Sequence, residues 1–131
     1  MRVPYVRIVT DDAGETHFED AATDLVPGEF APPAPPLGLS DTVPSEGVLF
    51  IGAPVGWDSP PHPAPRRQWV VMVRGTVETT TSDGETRAFG PGAAVLVEDT
   101  HGKGHRTRVA GAEPWLAIVV VLPGAPSPHY P

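Results

Sequence analysis

The sequence predicts an all-β domain, a closed or nearly closed β-sandwich or jelly roll with no helix longer than about two turns. Three observations carry this. Apolar residues come in short runs rich in β-branched side chains, and Val alone supplies 17 of the 131 residues. Pro and Gly together number 32, and they stand between those runs as punctuation rather than as a repeat. No stretch keeps the 3.6-residue period of an amphipathic helix, whereas several alternate with the period of a strand. The length suits one domain with a real core.

About nine strands follow in order. Residues 5–10 alternate, Asp11-Asp12-Ala13-Gly14 turns, and 16–19 returns, which makes a first hairpin. Residues 24–30 read as a short edge strand interrupted by Pro27. Pro32, Pro33, Pro35 and Pro36 cannot donate to a ladder, so this stretch reads as a polyproline II strap across the domain, anchored by Phe30 and Leu37. The alternative, a ligand for an SH3-type domain, lacks the flanking Arg or Lys. GVLFIGA at 47–53 is apolar on both faces and reads as a buried strand. A turn-rich loop at 54–65 holds Trp57 and His62. Strands at 68–74 and 77–81 come next, then the hairpin turn Ser82-Asp83-Gly84-Glu85, a strand at 86–89, the break Gly90-Pro91-Gly92 and a strand at 93–98. A polar loop leads to His105 and a strand at 106–109. WLAIVVVL at 115–122 is the longest apolar run and reads as a central strand. Residues 1–131 thus form one domain: N-terminal strands and strap over 1–46, a barrel core over 47–122, and a Pro-rich tail over 123–131 that frays.

Charge and composition exclude several classes. The net charge is −7. Residues 1–60 carry ten carboxylates and two arginines, a balance of −8, while 61–131 carry six carboxylates and seven basic residues, a balance of +1. Such an acidic chain is a poor partner for nucleic acid, whose affinity rests on phosphate neutralisation. The absence of cysteine excludes disulfides and thiolate chemistry. No run approaches membrane length and no apolar leader opens the chain, so a cytoplasmic protein with no membrane partner is expected.

Between His62 and His105 the chain resembles the two motifs of the cupin family. Gly56, His62, Ala64, Gln68 and Gly75 fall on the positions of the first motif, and Gly92, the apolar strand 95–97 and His105 on those of the second. The loop before His105 is two residues longer than the usual pattern, and Glu98 and Thr100 replace its Pro and Gly. The resemblance implies a double-stranded β-helix, a jelly-roll barrel whose motif face looks inward. It also implies a divalent metal, Zn, Ni, Fe or Mn, held by His62, Gln68 and His105. Ala64 stands where the second histidine of the family falls and Gln68 where its glutamate falls, which weakens the donor set. Pairing of two copies is a further implication, with Trp69, Val71 and Val73 facing away from the cavity.

Alternation puts Gln68, Val70 and Met72 on one face of their strand. His62 and His105 are the acid–base candidates, with Glu98 at the expected cavity rim as a third. Asp99 and Lys103 share that rim, and His101 sits four residues before His105 as a spare ligand or a plain loop residue. Arg66 is a candidate grip for an anionic substrate group, as are Arg67, Arg106 and Arg108 unless they pair with the acidic half. Met72, Trp57 and Trp115 are candidates to line a pocket for a flat apolar ligand. The expected activity is that of an enzyme acting on a small natural-product or aromatic-like substrate, by metal-assisted oxygenation, isomerisation or cyclisation. The alternatives are metal-free acid–base catalysis and a metal-free binding or regulatory module.

Overall fold

The computed structural model describes residues 1–124; the remainder of the expected tail lies outside the described residues. Those residues contain strands and turns and no helix. The larger sheet has six strands: β1 (Arg2–Thr10), β2 (Thr16–Asp24), β5 (Gly47–Ala53), β6 (Gln68–Arg74), β9 (Ala94–Val97) and β11 (Trp115–Val121), in the order β2-β1-β9-β6-β11-β5. Its pairs are antiparallel except β1 with β9. The smaller sheet is β10 (His105–Ala110), β7 (Thr76–Thr81) and β8 (Thr86–Phe89), in the order β10-β7-β8. The two sheets share one core and do not close into a barrel, so the architecture is a two-sheet sandwich.

Alternation along the strands builds that core. Ile8, Val70, Met72, Val95, Val97, Trp115, Ala117 and Val119 come from the large sheet, and Val77, Phe89 and Val109 from the small one. The central strand expected from WLAIVVVL is β11, paired on both sides by β5 and β6. The turn between β6 and β7 needs Gly75, whose φ is 76° and whose missing side chain leaves room for the Pro114 carbonyl.

Two expectations are corrected. The proline stretch is not a strap over the sheet. Residues 30–34 turn between two three-residue strands, β3 (Val26–Gly28) and β4 (Leu37–Leu39), which pair with each other. The expected anchors Phe30 and Leu37 are 71% and 52% exposed. Four prolines without N–H groups leave little with which to bond to a sheet, and the bond within this turn runs from Ala34 N–H to the Ala31 carbonyl. Second, GVLFIGA forms an edge strand rather than a buried one. Among the described residues β5 pairs only with β11, and Val48, Leu49 and Phe50 remain exposed.

Candidate functional site

The segment before β6 carries four prolines among six residues, Pro60, Pro61, Pro63 and Pro65, yet it lies along β10 as an added edge. Its donors fall where they are needed. Ser59 N–H donates to the Thr107 carbonyl, His62 N–H to the His105 carbonyl at 3.0 Å, and Ala64 N–H to the Asp99 carbonyl at 2.9 Å. Prolines are tolerated at the remaining positions because an edge strand need donate on one side only. His105 N–H returns a 3.0 Å bond to the His62 carbonyl, so the two histidines are a directly opposed antiparallel pair. Opposed residues present their side chains to the same face, and the ring centroids lie 5.1 Å apart.

Close approach here depends on Gly104. Its φ is 70°, and a Cβ would run into the backbone of His62 and Pro63. The loop before β10 is also tied to the β1–β2 hairpin. The Thr16 hydroxyl donates to the Gly104 carbonyl at 2.6 Å, and Lys103 N–H to the Gly14 carbonyl at 2.9 Å.

Both rings face a cavity of about 130 Å³ between the sheets. Gln68, Thr79 and Thr107 join the histidines as its polar lining, and Met72, Phe89 and Trp115 are among its apolar walls. The hydroxyls of Thr79 and Thr107 lie 3.2 Å apart and share one hydrogen bond. The half-buried members, Ile51, His62, Pro65, Gln68 and Thr107, lie toward solvent.

Each imidazole is fixed by its Nδ1. His105 Nδ1 is 2.6 Å from Oδ2 of Asp99, whose side chain is fully buried. A carboxylate accepts, so Nδ1 of His105 carries the proton and Nε2 holds the lone pair. His62 Nδ1 lies 2.9 Å from the Pro60 carbonyl, which can only accept, and the same tautomer follows. Asp99 Oδ1 is buried without a hydrogen-bond partner among the described residues. Asp99 reaches this place by alternation: Val95 and Val97 face the core from β9, and the next alternate position is Asp99.

The structure therefore gathers His62, Gln68, Met72 and His105 at one cavity, with Trp115 in its wall. It places the other candidates elsewhere. Glu98 is not at the rim: it lies between Arg67 Nε at 2.7 Å and Arg7 Nε at 2.8 Å. Burial pushes its pKa up, but Arg67 and then Arg7 outweigh that and hold the carboxyl below its usual range. This carboxylate is held by two guanidinium groups and does not line the cavity. Arg66 bonds Glu46 at 2.6 Å, and neither it nor the exposed Trp57 lines the cavity. Arg106 and Arg108 face outward and pair with Asp58 and Glu78, and Lys103 pairs with Glu15. His101 is exposed, and its carbonyl accepts from the Thr10 hydroxyl.

The donor set does not fit the metal that the cupin resemblance implies. Ala64, 1% exposed, fills the place of one imidazole, Gln68 offers a neutral amide, and the nearest carboxylate is bonded to Nδ1 of His105. No group of three His, Cys, Asp or Glu able to hold a metal ion occurs among the described residues.

No family model and no curated protein matches the chain. Among solved structures, it is similar to a conserved protein of unknown function from Streptococcus pyogenes, SPY1581, at 22% identity and a TM-score of 0.47, over 66% of this chain and 72% of that one. It is also similar to the BH2720 protein from Bacillus halodurans, at 20% identity and a TM-score of 0.47, over 60% of this chain and 64% of that one. The chain thus spans under two thirds of the Bacillus protein.

Proposed function

We propose that this chain is a cupin-type enzyme that moves a proton on a small organic substrate in the cavity, in an isomerisation or cyclisation, with His105 as general base. The observation that carries this reading is the buried Asp99–His105 bond of 2.6 Å at the cavity wall. A carboxylate on Nδ1 selects the tautomer that leaves Nε2 basic, orients the ring, and stabilises the imidazolium formed when the proton arrives. His105 Nε2 takes the proton from the substrate, the electron pair left behind moves toward a carbonyl oxygen, and the negative charge there is met by donors. The Gln68 amide and the hydroxyl proton not shared between Thr79 and Thr107 are the donors on the cavity lining. Return of the proton from His105 to a different atom completes the isomerisation. His62 presents a second Nε2 lone pair to the same cavity and can receive or relay that proton.

The test is proton exchange into solvent deuterium from a panel of enolisable carbonyl compounds, cyclic and acyclic, charged and neutral, followed by proton NMR. Exchange from at least one of them is expected to be accelerated, and to fall about 10²- to 10⁴-fold in His105→Ala, the range for a positioned general base. Equal exchange by the wild type and His105→Ala would end the reading. Metal analysis of protein purified without a histidine tag runs beside it. One equivalent of divalent metal, lost in both His62→Ala and His105→Ala, would replace proton transfer with a metal mechanism.

A further inference from the structure

The walls of the cavity define what it can admit. Its volume of about 130 Å³ is that of a cavity accepting one benzene-sized ring; an engineered apolar cavity of about 150 Å³ takes benzene. Ligand pockets for drug-sized molecules are usually above about 300 Å³. Among the described residues, no Arg, Lys, Asp or Glu lies in the lining. The arginines nearest in sequence to the motif histidines are committed elsewhere: Arg66 to Glu46, Arg67 to Glu98, Arg106 to Asp58. A carboxylate or phosphate would enter without a cation to meet it, and would approach the buried carboxylate behind His105. A polyol fits no better. The lining beyond the polar group His62, Gln68, Thr79, His105 and Thr107 is aliphatic, aromatic or thioether, and hydroxyls facing it would lose their water without replacement. Trp115 and Phe89 supply flat walls.

From this we infer that the ligand is a neutral single-ring or equally compact molecule of about six to ten non-hydrogen atoms, with one polar edge directed at His62, Gln68 and His105. The inference rests on the proton-transfer reading for what happens at that edge, and on the cavity alone for size and charge. It also narrows the expectation of a natural-product substrate: a one-ring enone or phenol matches the volume, whereas a fused polycyclic skeleton exceeds it and would reach out into solvent.

The experiment is calorimetric titration of the full chain with phenol and 2-cyclohexenone as single-ring neutral probes. The comparison probes are 2-naphthol for size, benzoate and phenyl phosphate for charge, and glucose for polarity. Saturable 1:1 binding of the first two is expected, with dissociation constants of roughly 0.1–1 mM for so few atoms. The remaining probes are expected to bind at least tenfold more weakly. Val70→Phe fills the cavity and is expected to abolish binding. If that variant does not fold, Val77→Leu is the gentler substitution on the opposite sheet, with an expected loss of tenfold or more. Binding of naphthol or benzoate as tight as phenol would overturn the inference, as would the absence of binding by both single-ring probes. Single-ring binding without His105-dependent exchange would leave the ligand class standing and remove proton transfer. His105-dependent exchange from charged or larger compounds alone would do the reverse.

Discussion

Asp99 shows what was legible at the scale of single residues and what was not. The resemblance to the cupin motifs implied that His62 and His105 share one cavity, and both line it. The same sequence put Asp99 beside Glu98 on a rim. Strand alternation carried two residues beyond Val97 separates them, Glu98 outward to Arg7 and Arg67, Asp99 inward to His105. What hid this was the assumption that alternation ends with the apolar run. Asp99→Asn keeps the shape but offers an N–H or a weaker acceptor to His105 Nδ1, so the ring is free to adopt the other tautomer. It is expected to lower exchange at least about 10²-fold with the fold intact, and to change the imidazole nitrogen NMR shifts of His105. Unchanged shifts together with unchanged exchange would show that Asp99 does not position the ring. Gly104→Ala is expected to cost about 2–4 kcal/mol, since a side chain at a positive φ would also meet the His62 backbone. Urea denaturation measures it, and a loss under about 0.5 kcal/mol would mean the two segments part easily.

At the scale of elements, hairpins announced by turn residues formed where expected. Asp-Gly at 83–84 joins β7 to β8, and the Asp11–Gly14 bond, N–H to carbonyl at 3.0 Å, closes the turn between β1 and β2. The long-range tie between these two hairpins was not legible, since nothing local marks it. His17 on β2 bonds Asp11 at 2.6 Å and Asp83 at 3.0 Å, stapling one hairpin to the other. Asp11 first and Asp83 second raise the His17 pKa above its ordinary 6.5. In return His17 lowers Asp11, while Thr81 is the first cause holding Asp83 low. A raised histidine stabilises the fold below its unfolded pKa and loses that contribution as pH rises through the folded value. The lowered carboxylates stabilise above about 3.8 and lose their part as pH falls through their folded values. The staple is therefore strongest between roughly pH 4 and 6.5. Wild type and His17→Gln are expected to differ most in urea midpoint within this window and to converge as the pH is raised well above it. A difference that persists undiminished at pH 9 would show that the contact does not depend on the histidine charge.

At the scale of the whole molecule, the run at 47–53 could be recognised as a strand, but the sequence could not say what lies against it. Among the described residues of one copy, much of it is left uncovered. Val26, Phe30, Leu37, Val43, Val48, Leu49, Phe50 and Val55, all within one stretch of thirty residues, are 45–71% exposed. Among the described residues β5 also ends the large sheet, so one side of its backbone has no partner strand there. The apolar face expected for pairing, Trp69, Val71 and Val73 on β6, continues the Val48 and Phe50 face of β5 across β11: Phe50 lies opposite Ile118, which lies opposite Val71. Trp69 itself is partly spent on Tyr5, at 4.9 Å between ring centroids, so the more exposed apolar area is that of β5 and the β3–β4 ribbon. A homodimer through the exposed outer face of β5 is expected, because an exposed apolar patch of this kind marks an interaction surface. Light scattering of the wild type should return twice the chain mass of 13.8 kDa, and Phe50→Glu with Val48→Glu should return the single mass with an unchanged β-type circular dichroism spectrum. A wild type that stays monomeric at high concentration would rule the dimer out. A dimer that survives both charges but not Val73→Glu would move the interface to β6.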